Sequence, residues 1–243
     1  MRLDGRKNDE IRKLVLDPFY LSTIPHSVLI CMGDTRVLCC ATLDKGVPPW
    51  LKGQGKGWVT AEYGMLPKCS KERIQRERKT VSGRTQEIQR LIGRSLRACI
   101  DLEKLGERQI MVDCDVIQAD GGTRTAGING GFVALSLLIN DMLKKGDLSV
   151  NPIKENVCAI SIGLMDNEPI ADLNYVEDSA AHVDMNLVMT ASKSLIEVQG
   201  TAEGNVFSRK QLDTMVDLGE KVIAQIIKHQ NEAIKNGHSG RNI

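Results

Sequence analysis

The chain has 243 residues, enough to bury a large core as one domain or two fused small ones without a disulfide or metal staple. Its formal net charge of +1 gives no overall sign of a nucleic-acid partner, so any such interaction must rest on local charge. The seven cysteines include no C-x-x-C pair, which argues against a zinc site and against disulfides. The N-terminus is charged and no run of about 18 apolar residues occurs, which argues against export and membrane insertion. We therefore expect a cytoplasmic protein.

The first predicted elements are β-strands. Residues 27–42, SVLICMGDTRVLCCAT, contain two runs rich in β-branched residues that meet at Gly33-Asp34, a pair that favours a hairpin turn. The segment GWVTAEYG, residues 57–64, predicts a further strand.

A strongly basic segment follows. Residues 68–97 contain three acidic residues and ten basic ones: Lys68, Lys71, Arg73, Arg76, Arg78, Lys79, Arg84, Arg90, Arg94 and Arg97. Its first part, residues 68–82, has few apolar residues and ends at Ser82-Gly83, which predicts an exposed, mobile loop without an apolar anchor. Such a loop could bind a polyanion.

The basic segment continues into an amphipathic helix that we predict to end near Gly106. Its apolar residues share one face, and Arg90, Arg94 and Arg97 share the opposite one. A charged helix face is usually only solvated, but the adjoining basic loop favours a binding role here.

The next strand leads into a candidate phosphate site. Residues 108–120 form a predicted strand with Asp113 and Asp115 on one face, and it runs into QADGGTRTAGINGG, residues 118–131. Gly122, Thr123 and Arg124 would place backbone N–H groups, a hydroxyl and a guanidinium at a helix N-terminus, where the helix dipole also favours an anion. The apolar helix that follows should end at Lys144-Lys145-Gly146.

The second half repeats the pattern of hairpins followed by a helix. The two hairpins should turn at Asn167-Glu168 and around Ser192, and a closing helix should run from Lys210 to about Ile234. We therefore predict an α+β fold of two related halves, 1–150 and 151–243, with mixed sheets packed on helices.

Two aspartates in the second half form a candidate metal site. Asp178 and Asp184 flank a stretch of small residues, and Asp184 leads into an otherwise apolar strand, where a carboxylate is costly unless paired or bound to a metal such as Mg²⁺. Turn and cap roles are equally compatible with this segment, and Glu177 and Asp172 rank lower as ligands. For His182, a structural or solvent-facing role is favoured over substrate contact.

The chain resembles the ribonuclease PH family of phosphorolytic 3′ to 5′ exoribonucleases. The motifs that carry the resemblance span nearly the whole chain: RLDGRKNDEIR (2–12), GWVTAEYGMLP (57–67), GRTQEIQRLIGRSLR (83–97), DCDVIQADGGTRTA (113–126), EDSAAHVDMN (177–186) and EVQGTAEG (197–204). The sequence departs from the family pattern at Lys68, where arginine is expected, at His26, where glycine is expected, and at Gly127 and Asn129 in the helix opening.

The resemblance implies a role for each matching residue. The attacking inorganic phosphate, a co-substrate, would be held by Arg84, Gly122, Thr123 and Arg124. Asp178 and Asp184 would be catalytic and would place Mg²⁺, and Arg73 and Arg76 would grip RNA. The family further implies a hexameric ring, a trimer of dimers, that trims the 3′ ends of tRNA precursors and releases nucleoside diphosphates.

Two rival functions remain at this point. A catalytically silent RNA-binding ring subunit of the exosome-core type is disfavoured because the arginine, threonine and aspartate set is present. A two-metal hydrolytic nuclease would need more clustered carboxylates and would not need the phosphate site.

Overall fold

A computed structural model describes residues 2, 4–44, 46–78, 80–202 and 206–238. Leu3 of the N-terminal motif, Lys79 of the basic segment, and Glu203 and Gly204 of the EVQGTAEG motif lie outside the described residues. All seven cysteines lie within them and are free thiols, and five of them are buried.

The first half is built on a five-stranded sheet with strand order β1-β2-β3-β5-β4. The strands are β1 (Leu14–Pro18), β2 (Ser27–Met32), β3 (Thr35–Asp44), β4 (Trp58–Met65) and β5 (Gln109–Gln118). β4 runs parallel to β5 and every other pair is antiparallel, so the sheet is mixed. The hairpin at Gly33-Asp34 is confirmed, and Gly33 has the positive φ of 58° that such a tight turn requires.

The second half is built on a four-stranded antiparallel sheet with strand order β7-β6-β8-β9. Its strands are β6 (Val157–Met165), β7 (Glu168–Ala171), β8 (Val183–Thr190) and β9 (Leu195–Ala202). The β6–β7 turn lies at Asp166-Asn167, one residue earlier than predicted, because these two residues adopt the left-handed backbone, with φ of 50° and 64°.

The long helix α3 (Thr123–Lys145) lies between the two sheets and ends at Gly146, as predicted. It is long and apolar enough to cross a membrane, but 83% of its most apolar window is buried within the protein, as in a core helix. The closing helix α5 (Arg209–His238) is longer than predicted at its C-terminal end and packs on β1 and β6. One cluster of buried apolar residues runs through both halves, and the α+β fold is confirmed.

The predicted helix ending near Gly106 is two helices. Helix α1 (Gly83–Ala98) stops early, and α2 (Leu102–Leu105) begins separately and ends at Gly106. Between them, Ile100 forms a β-bridge with Ile153, and Asp101 accepts hydrogen bonds from the N–H groups of Glu103 and Lys104, which starts a new helix. A further short helix, α4 (Tyr175–Ala180), lies in the segment that carries Asp178 and was not predicted.

Candidate functional site

A polar cleft with a volume of about 670 Å³ lies where the two halves meet. Arg84, Gly122, Thr123, Arg124, Asp178 and Asp184 all line it, so the structure brings together every residue expected to hold phosphate or metal. The structure adds lining residues that the sequence analysis did not single out: Met65, Ser70, Ala119, Gly121, Ser161, Tyr175, Ser179, Ala181 and Asn186.

The N-terminus of α3 forms one wall of this cleft. Gly121 and Gly122 have positive φ values of 74° and 65°, and Gly122 is the N-cap residue. A glycine has no side chain to accept the N–H groups of the first helical turn, so these donors are available to an anion. A Cβ on Gly121 would lie 2.6 Å from the carbonyl oxygen of Leu173, so only glycine lets this turn approach the second half.

The two arginines reach the same wall from different helices. Arg84 lies in the first turn of α1, which begins after the N-cap Ser82, and its side chain is exposed. Arg124 lies in the first turn of α3, is 17% exposed and donates to Gln199 Oε1 at 2.9 Å. Behind them, the Tyr63 hydroxyl and the Thr123 Oγ1 lie 2.9 Å apart within hydrogen-bond reach. Burial raises the pKa of Tyr63, while the Thr123 hydrogen bond and the charges of Arg84 and Arg124 oppose that rise.

The second half contributes the carboxylates that line the cleft. Asp178 is an exposed residue of α4, and Asp184 is the second residue of β8. Asn186 lies two residues further along the strand and therefore on the same face, opposite Ser161 of β6. The period-2 pattern of β8 was the signal that could have identified Asn186 from the sequence.

The lower-ranked carboxylates, Glu177 and Asp172, are held in buried ion pairs. Arg2 donates to both Glu177 carboxylate oxygens, at 2.7 and 2.8 Å. Arg12 binds Asp172 through its Nε and Nη2 atoms, at 2.9 and 2.6 Å, and also donates to the Asp120 carbonyl oxygen at 2.5 Å. The N-terminal segment thus clamps the loops that carry the cleft walls.

The charge of Glu177 is stabilised despite its burial. Burial alone would raise the pKa of this carboxyl, but the hydrogen bonds from Arg2 and from the Asn174 N–H, with the charges of Arg2 and Arg6, leave the pKa lowered. Glu177 also completes a capping box with Asn174 at the start of α4. The arginine partners were missed because nothing in the sequence pairs residues about 170 positions apart.

The donor set fits a magnesium ion. The described residues contain no group of three or more His, Cys, Asp or Glu side chains that could hold a metal, but a magnesium site does not need so many protein ligands. Mg²⁺ is usually bound by one or two carboxylates, with waters and substrate phosphate completing its shell. Asp178, Asp184 and the amide oxygen of Asn186 are hard oxygen donors of that kind.

The basic loop lies beside the cleft, and Arg73 and Arg76 are exposed on it. The expectation that it lacks an apolar anchor is wrong. Cys69 is 3% exposed, and Ile74 packs partly buried against the core, with its N–H bonded to the Pro67 carbonyl oxygen. These anchors position the loop while its arginines face solvent.

The three arginines predicted on the outer face of α1, Arg90, Arg94 and Arg97, are not equally exposed. Arg97 does not face solvent freely: its guanidinium lies 4.1 Å from the ring centroid of Trp58 and donates to the Val59 carbonyl oxygen. Arg94 pairs with Glu197 of β9 at 2.6 Å. Of the three, Arg90 and Arg94 are exposed and Arg97 is half-buried.

Sequence comparisons assign the chain to a family. The two domain models of the 3′ exoribonuclease family match residues 10–138 and 155–222. The chain is 52% identical over 233 residues to ribonuclease PH of Crocosphaera subtropica, covering 96% of this chain and 97% of the relative. It is also 52% identical to ribonuclease PH of Neisseria meningitidis serogroup C, over 95% of this chain and 96% of the relative. The chain belongs to the ribonuclease PH family.

Solved structures agree with the ribonuclease PH fold. Rice (Oryza sativa) Rrp46 superposes with a TM-score of 0.76 at 19% identity, covering 96% of this chain and all of the other. A chain of the Archaeoglobus fulgidus exosome with RNA bound to the active site gives a TM-score of 0.75 at 20% identity, covering 94% and 92%. At such identities the likeness concerns the fold alone.

Three of the residues that depart from the ribonuclease PH pattern make specific local contacts. Asn129 is buried in α3 and pairs with both backbone groups of Ala159 in β6, at 2.8 and 2.9 Å, which joins the helix to the second sheet. His26 lies 3.3 Å from Asp141, and burial lowers its pKa against the influence of that carboxylate. Lys68 donates to the Lys71 carbonyl oxygen within the loop. His182 is exposed and lines a separate cavity with Phe207 and Gln211.

Proposed function

We propose that the cleft shortens RNA from its 3′ end by phosphorolysis. The chain is a phosphorolytic 3′ exoribonuclease of the ribonuclease PH family, consistent with 52% identity over nearly its whole length. The observation that supports the residue assignment is that one cleft is lined by a helix N-terminus without a side-chain cap, two arginines and two carboxylates.

The chemistry brings two anions together. An oxygen of inorganic phosphate attacks the phosphorus of the last phosphodiester, the bond to the 3′ oxygen of the preceding nucleotide breaks, and a nucleoside diphosphate leaves. Arg84, Arg124 and the first N–H groups of α3 would hold the attacking phosphate and offset its charge. Because phosphate is the nucleophile, the site needs no side-chain nucleophile.

Mg²⁺ would be held by Asp178 and Asp184 in the same cleft. The ion would supply positive charge for the scissile phosphodiester when bound. The two carboxylates lie on different elements, α4 and β8, and both line the cleft.

Membership of the family supports a finer proposal for the substrate and the assembly. The substrates would be the 3′ ends of tRNA precursors, gripped by Arg73 and Arg76 of the basic loop, in the cytoplasm. The subunits would form a hexameric ring, a trimer of dimers. The boundary between the two halves would lie near residue 150, between α3 and β6.

The test is a product analysis. The protein is incubated with a short 3′-extended RNA and Mg²⁺, with or without inorganic phosphate, and its nucleotide products are separated. We expect shortening only with phosphate, and nucleoside diphosphates as products. Monophosphates released without phosphate would indicate a hydrolase, and no release under either condition would indicate a silent ring subunit.

A further inference from the structure

Gln199 of β9 joins three elements at the edge of the cleft. Its side-chain oxygen accepts a hydrogen bond from Arg124 Nη1 of α3 at 2.9 Å. Its side-chain nitrogen donates to Glu87 Oε1 of α1 at 3.0 Å. The second oxygen of Glu87 lies 3.9 Å from the same Arg124 nitrogen, so the three side chains close a ring.

The charges on either side fix the direction of this amide. A cation lies next to its oxygen and an anion next to its nitrogen, so the reversed amide would face an unfavourable partner on both sides. Gln199 pairs across the strands with Asn186, and both lie on the sheet face that borders the cleft. The amide is therefore held from two directions and offers a defined acceptor to Arg124.

Holding Arg124 in this way prepares it for an anion. A guanidinium has five N–H donors, and the Gln199 bond uses one of them, which leaves the others for phosphate. A long side chain that is already ordered loses less conformational freedom when its ligand arrives. Glu87 and Gln199 thus reduce the conformational entropy that the Arg124 side chain loses when phosphate binds.

We infer that Gln199, oriented by Glu87, is a positioning residue that holds Arg124 for the attacking phosphate. This inference rests on the proposed function, because it takes Arg124 as a phosphate ligand. Gln199 acts through Arg124 and does not itself line the cleft.

The neighbouring contact provides a matched control. Glu197 lies two residues before Gln199 on the same face of β9 and pairs with Arg94 of α1 at 2.6 Å. Both contacts fasten α1 to β9, but Arg94 and Glu197 do not line the cleft. A purely structural role for Gln199 would make the two sites equivalent.

The experiment measures phosphorolysis at varied phosphate and varied RNA for wild type, Gln199→Ala, Glu197→Ala, Arg124→Ala and the Gln199→Ala/Arg124→Ala double variant. We expect Gln199→Ala to raise the KM for phosphate by about tenfold, as loss of a charge-assisted hydrogen bond does, with kcat and the KM for RNA within about twofold. Glu197→Ala should leave the KM for phosphate within about twofold of wild type. The double variant should be no worse than Arg124→Ala, because the effect passes through Arg124.

A measurement without turnover supports the kinetics. Inorganic phosphate alone should raise the thermal unfolding midpoint of wild type and Glu197→Ala more than that of Gln199→Ala. Gln199→Met, which keeps the volume and removes both hydrogen bonds, replaces Gln199→Ala if the alanine variant does not fold.

The outcomes separate the inference from the proposed function. An unchanged KM for phosphate in Gln199→Ala, or an equal rise in Glu197→Ala, would overturn the positioning role while phosphorolysis stands. A normal KM for phosphate in Arg124→Ala would overturn it as well, because Gln199 would then have no ligand to position. Turnover of wild type without phosphate would remove the proposed function itself.

Discussion

Arg84 provides the most direct test of the phosphate wall. It lies in the first turn of α1, lines the cleft and is exposed. Arg84→Ala removes one charge-assisted contact to the nucleophile, which should cost on the order of 2–4 kcal/mol, or roughly 30- to 1000-fold in rate at low phosphate. Initial rates over a phosphate series measure the effect, and Arg90→Ala, an exposed arginine of the same helix outside the cleft lining, serves as the control. Wild-type turnover at low phosphate would place Arg84 outside the site.

Asp178 and Asp184 provide the test of the proposed metal site. Asp178→Asn and Asp184→Asn keep the side-chain size but remove the charge that a hard cation requires. Each should abolish Mg²⁺-dependent turnover and leave folding and RNA affinity largely unchanged, as measured by product release, circular dichroism and RNA binding. Full activity in either variant would show that its carboxylate is a turn or cap residue.

At the scale of single residues, the sequence predicts candidate site residues better than it predicts which side chains contact them. Gly122, Thr123 and Arg124 were found because consecutive residues at one helix start carry the whole signal. Gln199 was not singled out because its role depends on the β8–β9 register and on the docking of α1, which are not local properties. Whether the named residues bind phosphate and metal stays a prediction.

At the scale of elements, the N-terminus of α3 depends on a glycine that touches the other half. Gly121→Ala would combine a positive φ of 74° with a Cβ 2.6 Å from the Leu173 carbonyl oxygen. We expect a lower unfolding midpoint together with weakened phosphate binding, because the turn at Gly121 and the Leu173 backbone must move apart.

Gly146→Ala, at the other end of the helix, is the matched control. Its φ is 79°, but among the described residues no atom lies within 4 Å of the added Cβ. Backbone strain alone should cost about 1 kcal/mol there, with phosphate binding unchanged. Equal losses of phosphate binding in both variants would contradict a local role for Gly121.

The basic loop should determine the affinity for RNA and not the affinity for phosphate. Each contact to a single-strand phosphate contributes about 0.7 to the slope of log affinity against log salt, so Arg73→Ala with Arg76→Ala should flatten the slope by about 1.4. Binding of a tRNA precursor across a salt series measures it, with the KM for phosphate as the internal control. Normal RNA binding with weaker phosphate binding would place the loop in the catalytic shell. Because Ile74 and Cys69 anchor the loop, the double change should not alter the unfolding midpoint.

Element boundaries were harder to predict than element types. The apolar periodicity of residues 85–106 continues through the point where α1 ends at Ala98, so periodicity alone predicted one helix. The stop comes from a tertiary contact, the bridge between Ile100 and Ile153, together with the capping carboxylate of Asp101. The local sequence contains the Asp101 cap signal, but it does not contain the contact between Ile100 and Ile153.

At the scale of the whole molecule, the N-terminal segment ties the two halves together. Arg2 and Arg6 reach Glu177 of α4, and Arg12 joins Asp172 to the Asp120 carbonyl beside the phosphate wall. The sequence motif RLDGRKNDEIR supports the family resemblance, but the physical reason for its arginines appears only when distant segments meet. These contacts make the position of α4, and with it Asp178, depend on residues near the start of the chain.

This clamp predicts a specific dependence of stability on pH. Glu177 is 3% exposed, and its folded pKa lies below its ordinary value of 4.5. Its ion pairs therefore contribute stability above that pH, and the contribution is lost as the pH falls through the folded pKa. Glu177→Gln leaves Arg2 buried without its counter-charge, which should cost about 3–5 kcal/mol at pH 7. The deficit relative to wild type should shrink at acidic pH, where the wild-type carboxyl also becomes neutral.

Urea unfolding of wild type and Glu177→Gln between pH 3.5 and pH 8 measures this deficit. Asp9→Asn is the matched control, because Asp9 also joins the N-terminal segment to the second half, through an exposed pair with Lys221 at 2.5 Å. Solvent screens such a pair, so its loss should change stability little at any pH. A deficit in Glu177→Gln that stays constant down to the lowest pH would mean that lost packing, and not the charge of Glu177, sets the cost. Equal deficits in both variants would mean that burial of the clamp contributes nothing beyond a surface ion pair.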